Sequence, residues 1–417
     1  MRCPTVSCSR ANLNRQTMQT RRYTRLLGMT LAVMLMLLVG QLRSVAEDAP
    51  HRARDGKAEI GMELFIEGFP HVGGNGRTCA TCHVPDQAFQ LTPQNAEARY
   101  QALQHRRRTH PHADDPLFRS IDANDDAEDF TNLRQHALIH VFITLPTDAD
   151  GQKLVWPVDD PEATEVGLWR SVPTVLNTAF TAPYQLDGRQ PTLQAQALGA
   201  LHNHSEITVE PKPRFLDDVA AFQQTQFSSE SVRRLAAALA SGRRLPATDP
   251  PLNHFEREGK ALFEHHCAIC HGGPTQNVPI PEFSSAIRDV FISKPVPPFA
   301  ADLPFTPSPL EPRLWAFRIP GQADPLVIPS TDPGQALLTG SADDLNHFDI
   351  PALYGIAETA PYFHDNSAAT LDDVVRQYQS LFTALRRVIP EFVPFPLRPD
   401  PITEDQIPRI VAYLKKI

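Results

Sequence analysis

Two short cysteine motifs limit what this chain can fold into more than any other feature. Segments 79–83 and 267–271 read CATCH and CAICH, so each places a histidine directly after a C-x-x-C pair. This spacing is typical of covalent haem attachment, because two thiols so placed reach the two vinyl groups of one porphyrin and the adjacent imidazole reaches its iron. The motifs therefore predict two covalently bound haem c groups. The predicted attachment and iron-binding residues are Cys79, Cys82, His83, Cys267, Cys270 and His271.

Zinc sites and thioredoxin-like redox centres also use a C-x-x-C pair. Neither of them requires a histidine after both pairs. The chain has six cysteines, of which Cys3 and Cys8 lie in an N-terminal segment that is predicted to be removed. The other four all belong to the two motifs, which leaves none for a structural disulfide and favours haem over the alternatives.

Residues 1–46 are typical of a secretory signal peptide. Arg21, Arg22 and Arg25 precede an apolar run over 26–40, and the segment ends in Ser-Val-Ala, whose small residues suit a cleavage site. An uncleaved membrane anchor is the alternative, but the apolar run is shorter than the ~20 residues that span a bilayer. The sequence thus predicts export to the periplasm and no stable membrane span after cleavage.

The charge of the exported chain excludes one class of partner. Removal of residues 1–46 takes away seven arginines and no acidic residue, so the formal net charge changes from −9 to −16. A surface this acidic gives no electrostatic support to nucleic-acid binding. No nucleic-acid partner is therefore predicted.

Two internal repeats indicate a duplicated architecture. The five residues from Gly61 and the five from Gly259 end in Leu-Phe ahead of each cysteine motif, and segment 172–193 aligns without gaps on 350–371. We call these last two the repeat segments. Each half then ends in a helical pattern, over 229–239 and 403–416.

The repeats predict a mostly α fold of two tandem class I cytochrome c-like domains, with long irregular loops. The N-terminal domain spans 47–248 and carries an insertion over about 84–169, in which 138–143 is strand-like. The C-terminal domain spans 249–417. The insertion and a proline-rich segment over 274–333 are both able to cover a haem.

The methionine content restricts the sixth iron ligands. Met62 is the one methionine outside residues 1–46, and it lies on the helix before the first haem motif. Methionine is therefore not available to the second haem, which leaves histidine, tyrosine, lysine or an open position. The distinction matters because an iron with a free axial position binds peroxide or oxygen, whereas a doubly ligated iron carries electrons.

Three further runs make a family resemblance specific. Segments 170–174 (RSVPT), 187–189 (DGR) and 360–365 (APYFHD), together with the two cysteine motifs, are similar to the bacterial di-haem cytochrome c peroxidases and their relative MauG. The resemblance covers both predicted haem domains. It implies an oxidoreductase that reduces hydrogen peroxide, with a small redox protein or a protein substrate as the electron donor.

The resemblance also implies roles for individual residues. Tyr378, seven residues after Leu371, corresponds to the sixth ligand of the C-terminal haem. The two repeat segments are offset by 178 residues, so the position equivalent to Tyr378 in the N-terminal half is Ala200. Alanine has no atom able to bind iron, so the N-terminal haem is predicted to be open. Gln196 and Glu206 correspond to the pair above the peroxide-binding haem, where glutamate moves a proton and glutamine orients the peroxide.

Simpler interpretations of these residues stay open at this point. Tyr378 also suits a core aromatic on a helix, and Gln196 and Glu206 suit solvated positions. His202 and His204 lie close enough in sequence to Glu206 to reach the open iron and make it bis-histidine.

A calcium ion is a further expectation from the family. The matching positions are Asn177, Thr359 and Pro361, whose oxygens suit a hard cation. A second acidic stretch that begins at Asp122 imitates the start of an EF-hand loop, but Leu133 stands where such a loop needs a bidentate glutamate. We predict that this stretch is only a solvated loop.

Two departures from the family pattern limit what can be transferred. The family has a tryptophan before the DGR run, between the haems, and here the position is Leu186. The peroxidases also have a histidine upstream of the run at 170–174, and none occurs from Val141 to Trp169. The second departure favours a permanently open iron, as in MauG. The alternatives to a peroxidase are a non-catalytic di-haem electron-transfer cytochrome and an oxygenase-like mono-haem site.

Overall fold

The computed structural model describes most of the chain after residue 55. The described residues are 56–125, 128–278, 294–295, 308–389, 391–393, 395 and 398–417. The predicted signal peptide lies outside them. Ala58–Ile417 is a single compact unit, and the predicted domain boundary at 248/249 and the insertion stay predictions. No helix in the described residues has the length and apolar character needed to cross a bilayer.

Helices dominate the described residues, so the predicted mostly α class is confirmed. In chain order they are α1 (56–67), α2 (Cys79–Cys82), α3 (Pro93–Arg107), α4 (Thr131–His136), α5 (Leu193–Ser205), α6 (Pro213–Gln223), α7 (Glu230–Ala240), α8 (His254–His266), α9 (Ala336–Thr339), α10 (Leu371–Val388) and α11 (Ile407–Leu414). Threonine side chains cap α5 and α10 at equivalent positions, because Thr192 and Thr370 each accept a hydrogen bond from a backbone amide of the first turn.

The strands are short and pair across long sequence distances. They are β1 (Leu138–Thr144), β2 (Val155–Pro157), β3 (Glu165–Ser171), β4 (Lys294–Pro295), β5 (Arg313–Phe317), β6 (Leu326–Ser330) and β7 (His347–Phe348). Strand β1 pairs antiparallel with β3, with Leu138 opposite Ser171. Strand β5 lies between β2 and β6, and β4 pairs with β7. The strand predicted over 138–143 is confirmed as β1.

The sheet of β2, β5 and β6 joins the predicted insertion to the proline-rich segment. Strand β2 comes from the first of these segments, and β5 and β6 come from the second. Trp315 and Phe317 are fully buried and belong to the same apolar cluster as Val155 and Leu337. The two segments therefore share one hydrophobic core.

Each half of the chain has a helix crossing that only glycine permits. A Cβ atom on Gly61 of α1 would overlap the carbonyl oxygen of Asp218 in α6. In the same way a Cβ on Gly259 of α8 would overlap the carbonyl oxygen of Arg409 in α11. Both pairs of backbones approach closely because no side chain separates them.

The helix that packs on α1 is α6 rather than α7. The predicted helix over 229–239 forms as α7, but its Val232 and Leu235 pack with Tyr354. Helix α6 instead supplies Leu216 and Phe222 to the core that α1 lines. The apolar residues of α6 share one helix face at three-residue spacing, and that face suits burial against α1.

The two repeat segments have the same local structure. The hydroxyl of Tyr184 donates to the carbonyl of Thr178 at 3.0 Å, and that of Tyr362 donates to the carbonyl of Ile356 at 3.0 Å. Each segment then pairs its tyrosine backbone with a residue six positions later and leads into a threonine-capped helix. The sequence repeat is therefore also a structural repeat.

The glycine crossing gives a stability test. Replacement of Gly61 by alanine forces α1 away from α6, and we expect the free energy of unfolding to fall by about 1–3 kcal/mol. Gly56→Ala is the matched control in the same helix, since no atom lies within 4 Å of the added Cβ and alanine favours helix by up to ~1 kcal/mol. Guanidinium unfolding of the haem-loaded protein measures both. A Gly61→Ala variant as stable as the unchanged protein would contradict the close crossing.

Candidate functional site

A cavity of about 280 Å³ brings the first haem motif together with Gln196, one of the two predicted distal residues. Its walls are mainly apolar, which suits a porphyrin. Strands β1 and β3, helix α5 and both repeat segments contribute to it. The predicted site residues that line it are Cys79, Cys82, His83, Gln196, Asn177 and Thr359.

The imidazole of His83 is oriented for metal binding. It follows the single turn of α2, and its Nδ1 lies 3.1 Å from the carbonyl oxygen of Phe89. A carbonyl only accepts, so Nδ1 carries the proton and Nε2 is the nitrogen left to bind iron. Burial lowers the pKa of His83 and favours the neutral ring that metals bind.

The thiols at this motif are desolvated. Burial raises the pKa of Cys79 to about 12 and also raises the pKa of Cys82. Both residues therefore carry protonated thiols at neutral pH. The donor set of two thiols and one oriented imidazole on an apolar cavity fits covalent haem c.

The second haem motif repeats the histidine geometry. The Nδ1 atom of His271 lies 3.2 Å from the carbonyl oxygen of Gln276 and 3.2 Å from that of Pro351. Cys267 and Tyr378 border the same apolar cluster in the C-terminal half. Tyr378 lies on α10 with its ring centroid 6.4 Å from that of Phe363. The residues of this half also fit a haem c group.

One face of α5 lines the cavity that also contains His83. Gln196, Ala200 and His204 follow each other at four-residue spacing, and all three line the cavity. Glu206 does not line it. This residue is the C-cap of α5, is exposed, and accepts a hydrogen bond at 2.7 Å from Nδ2 of Asn75. The structure therefore places Gln196 in the cavity and Glu206 at its outside.

The two histidines near Glu206 have different surroundings. His202 is exposed and its Nε2 lies 2.9 Å from a carboxylate oxygen of Glu210. His204 lines the cavity, and its buried Nδ1 has no hydrogen-bond partner. Burial, with the nearby Arg77 and Arg189, lowers the pKa of His204 to about 3, so the ring is neutral.

A buried charge network supports the same cavity. Arg170 donates from Nη1 to Asp187 at 2.5 Å and from Nε to Asp332 at 2.6 Å, and Arg189 donates to Asp187 at 2.6 Å. Burial raises the pKa of the two carboxyl groups, but the arginines outweigh it and hold both pKa values below the usual range. The carboxylates are therefore charged and fully compensated. Sequence reasoning missed Asp332, which lies in the proline-rich segment with no local signal.

The stretch predicted to be a solvated loop includes a buried residue. Asp122 is fully buried, and its carboxylate lies 2.6 Å from a guanidinium nitrogen of Arg77. It also accepts a hydrogen bond at 2.6 Å from the backbone amide of His140 at the start of the β1 strand pairing. The prediction was wrong for Asp122 because its two partners come from distant parts of the chain.

The position of the missing tryptophan faces a buried acid. The carbonyl of Leu186 accepts a hydrogen bond at 2.8 Å from the backbone amide of Asp349, and both residues line the cavity. Burial and then the nearby Asp187 carboxylate raise the pKa of Asp349 to about 8. Asp349 is therefore protonated at neutral pH.

The predicted calcium site stays a prediction, and its one side-chain ligand, Asn177, has protein partners in the structure. The Oδ1 atom of Asn177 already accepts a hydrogen bond at 3.1 Å from the backbone amide of Ser228, and its Nδ2 donates to the carbonyl of Tyr354 at 2.9 Å. Neither Thr359 nor Pro361 adds a charged ligand. No group of three or more histidine, cysteine, aspartate or glutamate side chains in the described ranges could hold a metal ion.

The raised pKa of Asp349 predicts a pH dependence of stability. The folded protein keeps this proton up to about pH 8, whereas the unfolded chain releases it near pH 4. Stability is therefore lost as the pH rises between these values, by up to about 1.4 kcal/mol per pH unit. We expect Asp349→Asn to show a flatter profile of unfolding free energy from pH 5 to 8.

The control for this experiment is Asp343→Asn, which removes an exposed carboxylate. Its profile should run parallel to that of the unchanged protein. Parallel profiles for all three proteins would show that Asp349 is already charged in the folded state.

Comparisons with known proteins also indicate a similarity to di-haem peroxidases. Residues 55–241 match the family model described as di-haem cytochrome c peroxidase. A cytochrome c551 peroxidase of Nitrosomonas europaea is 26% identical over 267 residues, which cover 59% of this chain and 65% of the relative. A cytochrome c551 peroxidase of Pseudomonas aeruginosa is 23% identical, over 49% of this chain and 56% of the relative.

Among solved structures, the diheme peroxidase BthA from Burkholderia thailandensis is 15% identical with a TM-score of 0.43, over 87% of this chain and 85% of that chain. The chain spans less than two thirds of the length of the curated relatives named above. The family match includes the first cysteine motif, and the family name implies two c-type haems. The resemblance predicted from the sequence is therefore confirmed, and this chain is related to the di-haem cytochrome c peroxidases and their MauG-like relatives.

Proposed function

We propose that this chain is an exported di-haem oxidoreductase that reduces hydrogen peroxide, or uses it to oxidise a protein partner, at an open N-terminal haem. The observation that carries the proposal is the difference between the two halves at one helix position. Ala200 lines the N-terminal cavity where the C-terminal half has Tyr378. One half thus leaves space beside the iron and the other offers a phenol oxygen.

The residues of the N-terminal half divide into attachment and peroxide-binding roles. Cys79 and Cys82 attach the porphyrin and His83 binds its iron through Nε2, held by the carbonyl of Phe89. The bound haem iron supplies the redox chemistry on peroxide. Gln196 lines the same cavity and hydrogen-bonds the bound peroxide. The apolar walls exclude bulk water and strengthen that hydrogen bond.

Glu206 has the proton-transfer role in this proposal. Its carboxylate now accepts from Asn75 at the outer end of α5. A turn of the side chain from Asn75 toward the cavity would carry a proton between solvent and peroxide. The exposed position suits a group that exchanges protons with water.

The C-terminal half relays electrons in this proposal. Cys267 and Cys270 would attach the second porphyrin, and His271 and Tyr378 would supply the two ligands of its iron. Two strong ligands suit electron transfer rather than substrate binding. The electron donor is a small redox protein or an oxidisable side chain of a protein substrate. Since position 186 is leucine, no aromatic ring at that position connects the two halves.

The proposed location is the periplasm. A signal peptide over residues 1–46 would deliver the chain there, and haem attachment to C-x-x-C-H motifs suits an exported protein. The alternative function is electron transfer without chemistry at either iron, in which both haems would be doubly ligated.

The peroxidase proposal predicts a response to small ligands at one haem. We expect the oxidised holoprotein to bind cyanide at the N-terminal haem and to change its absorption and electron paramagnetic resonance spectra on addition of peroxide. The C-terminal haem should bind no cyanide. Two low-spin haems that respond to neither reagent would favour the electron-transfer cytochrome instead.

The ligand role of Tyr378 gives an independent test. Replacement by phenylalanine removes the only oxygen of the side chain, so we expect the C-terminal haem to change from a low-spin to a high-spin spectrum and to acquire cyanide binding. Tyr100→Phe is the control, because this tyrosine lies on α3 in the N-terminal half and its ring packs against Phe118. An unchanged spectrum of the Tyr378→Phe variant would refute the assignment.

A further inference from the structure

We propose that His204 is a second side chain, besides Gln196, that hydrogen-bonds the small molecule bound at the open face of the N-terminal haem. The inference rests on the proposed function, since it requires that this iron has an open position. It assigns the contact to a residue on α5 that neither the peroxidase resemblance nor the predicted pair of Gln196 and Glu206 includes.

The helix geometry directs His204 to the open position. Gln196, Ala200 and His204 lie on one face of α5, and all three line the cavity that contains the first motif. A side chain on a helix leans toward the helix N-terminus and covers the turn before its own Cα. His204 therefore leans toward Ala200, the position that corresponds to Tyr378 in the other half. The methyl group of Ala200 leaves room there for a ligand.

The surroundings of His204 point to a partner that the chain does not supply. Its Nδ1 is buried without a hydrogen-bond partner. Buried polar atoms are almost always bonded, so an unpartnered one requires an explanation. A ligand in the cavity provides it.

The backbone around His204 is fixed, which keeps the ring in place. Its carbonyl oxygen accepts hydrogen bonds from Nδ2 of Asn75 at 2.9 Å and from Nη1 of Arg77 at 3.4 Å. The hydroxyl of Ser205 donates to the carbonyl of Arg77 at 3.3 Å. Hydrogen bonds thus hold this turn in place, whereas the buried Nδ1 of the His204 ring has no partner.

The neighbouring polar residues are less well placed for this contact. His202 points to the surface and pairs with Glu210. Glu206 is exposed and accepts from Asn75. Three polar residues of α5 line the cavity, namely Gln196, His204 and Ser205. The hydroxyl of Ser205 already donates to the carbonyl of Arg77.

Fluoride and cyanide titrations of the oxidised holoprotein test the assignment. Fluoride accepts hydrogen bonds but donates none, so its affinity reports a donor beside the iron. We expect His204→Ala to weaken fluoride binding by about tenfold, the usual effect of one lost hydrogen bond. His202→Ala is the matched control two residues away on the surface, and its affinity should stay within about twofold of the unchanged protein. Absorption spectra report binding, and haem content and circular dichroism confirm that each variant is intact.

A second variant keeps the test decisive if His204→Ala does not fold. His204→Gln retains an N–H donor and a polar side chain, and it should lose less fluoride affinity than a His204→Leu variant, which retains volume alone. Equal affinities in these variants would overturn the assignment.

Three further outcomes would also overturn the assignment, and each is distinguishable from the others. If the unchanged protein binds neither fluoride nor cyanide, the open haem and the proposed function both fail. If its spectrum is entirely low-spin and His204→Ala produces a high-spin haem, His204 is an iron ligand and not a hydrogen-bonding group. Cyanide binding that persists unchanged in His204→Ala, together with unchanged fluoride affinity, leaves the proposed function intact and removes His204 from it.

Discussion

The buried pairing of Arg170 with Asp187 and Asp332 is the constraint on which the cavity depends. It joins strand β3, the first repeat segment and the proline-rich segment through one guanidinium group. Loss of one member of such a network leaves an uncompensated buried charge, at a cost of about 3–5 kcal/mol. The side chain of Arg170 lines the cavity while its charge is fully compensated. The network thus fixes the cavity wall without adding net charge to it.

Within that wall, a duplicated architecture has become asymmetric. The two halves keep the same glycine crossing, the same tyrosine-to-carbonyl hydrogen bond and the same histidine Nδ1 contact to a backbone carbonyl. They differ at one equivalent position of the helix after each repeat segment, with Ala200 in one half and Tyr378 in the other. Shared features serve attachment and packing, which both haems need. The difference lies at the position that decides whether an iron is open.

Local patterns predicted the features that depend on neighbours in sequence. The cysteine motifs, the strand at 138–143 and the repeat segments each carry their own signal, and the structure confirms their local form. The features that were missed depend on distant partners. Asp122 is buried with Arg77 and the backbone amide of His140 as its partners. Asp332 is buried with Arg170 as its partner. The packing partner of α1 has no local signal, because α6 and α7 are both amphipathic and only three-dimensional packing selects between them.

The pairing of β2 with β5 also has a consequence for the order of events during synthesis. Val155 lies opposite Phe317, so this sheet forms only after more than three quarters of the chain has been made. The residues that line the cavity extend as far as Thr359. The first cysteine motif is thus exposed long before the walls around it exist. A porphyrin can therefore reach Cys79 and Cys82 before the cavity walls close, and it needs no wide channel in the folded protein. The late formation of long-range contacts also makes folding slow.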